Sequence, residues 1–170
     1  DVIIQKAGIL PGTKDPPGGR VFKDNKGKLQ GIFVDNAIDL LQPALGEPSA
    51  ADRRRWLVQG MEEARKNGLV AFHDMGMTTE TLHELLSLQK ERQLPIRVYV
   101  YLADEAKSYD LLDKLVDRQV GRVFIQGVKL YADGAMGSRG AALLSPYSDD
   151  KKNIGLLLTS EADMATRAKR

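Results

Sequence analysis

Apolar residues recur along this chain with two rhythms, one helical and one extended, that take turns from about Ser49 onward. Trp56, Leu57, Met61 and Ala64 follow one helical stripe between Ser49 and Asn67, where Ser49 and Asp52 make a capping box and Gly68 a stop. The short apolar run Leu69-Val70-Ala71-Phe72-His73 then predicts a strand. Thr78 or Thr79 caps a second helix through about Arg92, with Leu82, Leu85, Leu86 and Leu88 as its buried face and His83 on its surface. Pro95 leads into a strand from Ile96 to Leu102. Asp104 is the expected cap of a third helix carrying Leu111, Leu112, Leu115 and Val116, and Gly121 precedes a strand from Arg122 to Tyr131.

Strands that alternate with helices through short links form parallel βαβ units with right-handed crossovers. Successive strand starts lie about 27 residues apart, a spacing suited to compact βα units. Three strands alone leave two open edges, whereas a closed barrel takes about 250 residues. The expected class is therefore α/β, a fragment of a (β/α)8 TIM-type barrel of about three βα units, although a doubly wound sheet fits the same order. The barrel is favoured because Arg97, Tyr99, Tyr101, Lys129 and Tyr131 put polar or aromatic groups on one strand face.

Upstream, Gly8 to Asp35 is rich in Gly and Pro, and Arg20-Val21-Phe22-Lys23 alternates against Leu29 to Val34 around Asp24-Asn25-Lys26-Gly27, predicting a small hairpin. The chain is expected to divide into a loop and hairpin excursion, residues 1–48, and a partial barrel, residues 49–170. Asp1 at the start, and the capped but unstopped helical run Ser160 to Arg170, point to a piece of a longer enzyme.

Composition narrows the partners. With 25 basic and 23 acidic residues the formal charge is +2, which gives no electrostatic case for nucleic acid or an anionic membrane. No apolar run nears the roughly 20 residues of a membrane span, and no signal-peptide pattern opens the chain. The absence of cysteine removes disulfides and thiolate metal sites and agrees with a cytoplasmic location, so any metal must be held by nitrogen and oxygen.

The chemistry concentrates in Gly127-Val128-Lys129-Leu130-Tyr131-Ala132-Asp133-Gly134-Ala135-Met136-Gly137-Ser138-Arg139-Gly140. If the strand runs on, Lys129, Tyr131 and Asp133 share a face. An ammonium in a strand core costs several kcal/mol unless paired, deprotonated or chemically changed, and an ion pair with Asp133 is the plain alternative. At the ends of strands, where βα loops converge, His73 could bind metal or move a proton, or be a structural hydrogen-bonding residue. The loop Gly134 to Gly140 could cradle an oxyanion with Arg139 adding charge, or Arg139 could tie the loop to a carboxylate. No nucleophile elbow, His-x-His or His-Glu-x-x-His pattern is present.

The run from Gly127 to Leu144, followed by Pro146-Tyr147-Ser148-Asp149-Asp150 and Gly155-Leu156-Leu157-Leu158, resembles amidohydrolase family 3 and, within it, the YtcJ-like metal-dependent hydrolases. Lesser echoes are Asp15-Pro16-Pro17-Gly18-Gly19, Gly31 to Ala37 and His73-Asp74-Met75-Gly76. The resemblance implies a distorted (β/α)8 barrel that hydrolyses C–N bonds of amides or cyclic amides with a divalent metal, zinc being the expected ion. It implies that Lys129 matches the family's metal-bridging lysine, a position open to carboxylation by CO₂, with Asp133, His73 and Arg139 lining the pocket. The family's paired histidines, later histidines and final aspartate have no counterparts in these residues, so the chain alone is expected to be inert. Two rivals remain open: a Schiff-base lysine enzyme of aldolase type, and a non-catalytic module that self-associates through exposed sheet edges. The expected partner is a small amide-type substrate.

Overall fold

The computed structural model describes residues 2–169; Asp1 and Arg170, the ends of the two terminal segments named above, lie outside the described residues. In chain order the elements are α1 (Val2–Lys6), β1 (Gly19–Lys23), β2 (Leu29–Asp35), a 3-10 turn (Asn36–Leu41), α2 (Gln42–Leu45) and α3 (Ala50–Lys66). They continue with β3 (Ala71–Met77), α4 (Thr79–Lys90), β4 (Arg97–Ala103), α5 (Ala106–Lys114), β5 (Gln119–Val120), β6 (Val123–Lys129) and α6 (Glu161–Ala168). Contacts divide them into two units, Asp1–Glu47 with Tyr131–Arg170, and Pro48–Leu130.

The Pro48–Leu130 unit is an α/β layer. Its four strands lie in the order β3-β4-β6-β5, with β3, β4 and β6 mutually parallel and β5 antiparallel to β6. The three parallel strands and their intervening helices follow the expected order of helix, strand, helix, strand, helix, strand. One sheet face is apolar: Val98, Val100, Leu102, Val123 and Ile125 are at most 1% exposed and join Met61, Leu82, Leu85 and Leu88 from α3 and α4 in one cluster. Each such side chain removed from water contributes about 1.5–3 kcal/mol, which is why the leucine stripe of α4 must face the sheet.

Helix starts follow side-chain capping. Ser49 and Thr78 accept hydrogen bonds from the backbone N–H of Asp52 and Thr81, as the capping signals predict. His83 lies on the exposed side of α4, also as expected. Four expectations are corrected. The first parallel strand starts at Ala71, two residues later than read, because Leu69 and Val70 are spent on the exposed link after α3. Trp56 leaves its predicted stripe and is 52% exposed, so the inner side of α3 is carried by buried Met61 with Leu57, Val58 and Ala64 packed beside it. Asp104 does not cap α5; its carboxylate instead accepts from the Tyr109 hydroxyl at 2.7 Å, and α5 starts after Glu105. Beyond α5, Val116 is almost fully exposed because the helix has already ended at Lys114.

The other unit carries the predicted hairpin. β1 and β2 pair antiparallel, and the Asp24 carboxylate closes the turn by accepting from the N–H groups of Lys26 and Lys28 at 2.8 and 2.9 Å. The segment from Tyr131 to Thr159 has little regular structure and is held by scattered backbone bonds such as Leu143 N to Ile154 O and Leu156 N to Gly140 O. Among the described residues, no helix is long and apolar enough to cross a membrane.

Two outcomes follow. Leu85→Ala should cost about 2–5 kcal/mol in urea unfolding, as a cavity in a fully buried stripe does, while Val116→Ala should stay within about 0.5 kcal/mol. Lys107 on α5 donates to both carboxylate oxygens of Glu80 on α4, at 2.7 and 2.9 Å, and this hydrogen bonding holds the Glu80 carboxyl down at about 2, from an ordinary 4.5. A lowered folded pKa stabilises above the unfolded value, so this support should fade as pH falls from about 4.5 toward 2. Both groups are exposed, which keeps the effect small. Lys107→Gln should flatten that part of a stability–pH profile measured by denaturant unfolding.

Candidate functional site

The second face of the parallel sheet is polar and aromatic. Alternation along β3, β4 and β6 turns His73, Tyr99 and Phe124 away from the helices, and register sets them side by side: His73 pairs with Tyr99, and Tyr99 with Phe124. Their rings stack into a ladder across three strands. The His73 and Tyr99 centroids lie 4.6 Å apart at 13°, and those of Tyr99 and Phe124 lie 4.7 Å apart at 18°. Tyr101 extends the surface, 6.3 Å from His73. Such pairs contribute about 0.5–1.5 kcal/mol each beyond simple burial.

Lys129 belongs to this face. An irregularity between Val100 and Tyr101 shifts the β4–β6 register so that Tyr101 pairs with Gly127 and Ala103 with Lys129, which restores Lys129 to the side of Tyr99 and Tyr101. It is half-buried, at the C-terminal end of the third parallel strand. His73 is exposed in the middle of β3. Its neighbour Asp74 pairs in register with buried Val100 on the helix side, and burial pushes its carboxyl above the usual range. The sequence gives no sign of this, because Asp74 stands between two residues of the opposite face.

The expectation that Lys129, Tyr131 and Asp133 share a strand face is corrected: β6 ends at Lys129, and the chain passes at Tyr131 into the other unit. There Asp133 accepts from the Ala142 N–H at 3.0 Å and bridges to Leu157. Arg139, at φ 58°, donates from Nε to Asp149 at 3.1 Å and from Nη2 to its second oxygen, and the pair lowers the Asp149 carboxyl while raising the guanidinium. Arg139 thus ties down its loop. The N–H groups of Arg139, Gly140 and Ala141 bond to Met136 and Ala135 carbonyls inside the loop.

Asp35 was legible only as part of a motif. Its backbone takes φ 53° and ψ −129°, and its Oδ2 is buried without a hydrogen-bond partner. A Cβ placed on Gly134 or Gly140 would lie 2.7 or 2.6 Å from that oxygen. The two glycines of the loop are therefore a collar around one carboxylate. Among the described residues no three His, Asp or Glu side chains come together to hold a metal ion.

The model of the amidohydrolase family matches residues 1–170. The chain belongs to the amidohydrolase family. It is 30% identical to "Putative amidohydrolase YtcJ" of Bacillus subtilis (strain 168), over 90% of this chain and 30% of that protein. It is 27% identical to "Protein LONG AFTER FAR-RED 3" of Arabidopsis thaliana, over 90% of this chain and 28% of that one. This amidohydrolase-family chain thus spans under a third of the curated relatives' length. Among solved structures it resembles an uncharacterized metal-dependent hydrolase from Pyrococcus horikoshii OT3, with TM-score 0.69 and 25% identity over 99% of this chain and 33% of that one. A second, from Pyrococcus furiosus, has TM-score 0.70 at 21% identity over 99% and 34%, a likeness of fold.

The collar yields a prediction. Gly140 does not occupy the left-handed region, so Gly140→Ala is opposed by Asp35 rather than by its own backbone, and should destabilise by about 1–3 kcal/mol. Asp35→Gly relieves a strained backbone worth about 1–3 kcal/mol and removes the orphaned oxygen, so the thermal midpoint should rise. In the double variant most of the Gly140→Ala cost should vanish, a coupling readable from a thermal-denaturation cycle.

Proposed function

We propose that this chain supplies about three βα units of a (β/α)8-type barrel in a hydrolase that cleaves C–N bonds of amides or cyclic amides. The observation that carries the reading is the family match along the whole chain. The likeness to a solved metal-dependent hydrolase at 25% identity supports it, as does the two-sided sheet, helices on one face and aromatic and ionisable groups on the other.

A divalent metal, zinc by expectation, would be the agent that polarises a carbonyl and activates water in such an enzyme. The donors present here do not make a site for it: a structural or catalytic zinc needs three or four ligands, and the described residues bring no such cluster together. Lys129 is the proposed donor from this chain, with the others contributed by segments that the longer relatives possess. The remaining roles follow from chemistry at the sheet. The Tyr99, Tyr101 and Phe124 rings would form an apolar wall against which a planar amide packs, and His73, stacked on Tyr99 with its ring edge left for hydrogen bonding, would orient the substrate's polar atoms. Asp133 and Arg139, in the other unit, are proposed to act on the conformation of the loop they hold.

The reading is tested in a polypeptide of the relatives' length that carries this segment, assayed against a panel of linear and cyclic amides. Lys129→Ala should lower kcat/KM by more than about 100-fold, beyond what loss of a residue that merely supports a ligand costs, and bound zinc measured alongside should fall. The 170-residue chain alone should show no turnover. Unchanged turnover in the variant, or borohydride trapping of a ketone on Lys129, would refute the assignment and favour imine chemistry.

A further inference from the structure

We propose that a cavity in the unit formed by the hairpin and the Tyr131 to Thr159 segment binds a small organic monoanion, a carboxylate joined to an apolar group. The cavity encloses about 270 Å³, near the lower bound of roughly 300 Å³ for small-molecule sites. Part of its lining is apolar, with Phe22 and Val34 from the hairpin and Leu156 from the long segment. Part is cationic, with Arg20, Arg139 and Lys152.

The three cations differ in their commitments. Arg139 is held by Asp149. Arg20 lies over the Phe22 ring, 5.1 Å from its centroid, and neither Arg20 nor Lys152 forms an ion pair among the described residues. A guanidinium whose central carbon lies over a ring keeps the N–H donors at its own edge, in its own plane, available as a fork that can grip a carboxylate with two parallel bonds. The ring also removes rotamer freedom from Arg20, so less is lost when a ligand arrives.

Asp15 lines the same cavity, but its Oδ1 is taken by the Val21 N–H at 2.8 Å, which directs that carboxylate at the backbone of β1. Asp15, Asp149 and, more weakly, Asp150 beside Arg139 offset most of the cationic charge and leave a small positive surplus centred on Arg20 and Lys152. A surplus this small suits a monoanion better than a phosphate dianion. The apolar lining rewards a carbon group, and a neutral amide of the same shape would leave the Arg20 fork without its charged acceptor. Nothing in this inference rests on the hydrolytic chemistry proposed above, since Arg20, Lys152 and their cavity lie outside the unit that carries Lys129.

Benzoate, benzamide and inorganic phosphate are suitable probes, titrated into the 170-residue chain at low ionic strength while backbone amide signals of Val21, Gly140 and Gly155 are followed by NMR. Benzoate should shift these signals saturably in the millimolar range. Benzamide and phosphate should each bind at least about tenfold more weakly, and Arg20→Ala should weaken benzoate by about tenfold or more. Arg20→Lys, which keeps charge but loses the fork, should retain only part of the affinity. Equal affinity for benzamide would overturn the charge requirement, and equal affinity for phosphate would overturn the amphipathic ligand. Benzoate binding unchanged in Arg20→Ala would overturn the site. Should Arg20→Ala fail to fold, Lys152→Ala decides, with a loss of about threefold expected and an unchanged affinity counting against the proposal.

Discussion

Burial of Val98, Val100 and Leu102 against the helices decides where every other side chain of the parallel sheet points. Side chains alternate with a period of two, so anchoring one set of β4 residues in the apolar layer sends Tyr99 and Tyr101 to the opposite side. Register then carries the choice outward, to His73 on β3 and to Phe124 on β6. The ring ladder is thus a by-product of core packing. A slip of one residue would bury the tyrosines and expose the valines, at a cost of several side chains' transfer energy. The irregularity near Val100 serves the same constraint: without it Lys129 would fall on the helix-covered face, where an ammonium has no solvation.

A different principle organises the hairpin unit. Its long segment has few regular hydrogen bonds, and close approach of backbone to side chain replaces them. The unpartnered Asp35 oxygen between Gly134 and Gly140 is costly by both desolvation and backbone conformation. Costs of this kind persist where something other than stability retains the residue. Asp133 and Arg139, which carry charge suited to catalysis, instead satisfy a backbone N–H and a neighbouring carboxylate. What they fix is the loop's shape.

Much of this was legible in the sequence because local signals and tertiary demands agree. Ser49 and Thr78 announce their helices and cap them, and the leucines of α4 are spaced for the side they bury. The hairpin turn can be read from Asp24 to Gly27 because an aspartate side chain mimics a turn's hydrogen bonds. The misreadings share a cause: apolar residues at Leu69, Val70, Trp56 and Val116 look like core but lie on exposed surface, and nothing in composition marks a residue left uncovered. The strand through Tyr131 looks continuous because Leu130, Tyr131 and Ala132 suit an extended chain, yet pairing stops at Lys129. The Asp35 collar is invisible in sequence, since glycines 99 and 105 positions downstream give no hint of the carboxylate that they admit.

The short strand β5 has a consequence for how the sheet can grow. By running antiparallel along Val123 and Phe124 it occupies the first half of the outer edge of β6 and leaves Gly127 to Lys129 beyond its reach. A further parallel neighbour arriving on that side meets a prefilled groove at its entry end, so it must either join late, beside the lysine, or peel the two-residue flap away. The register of any strand added at that edge is in this way rationed by Gln119 and Val120.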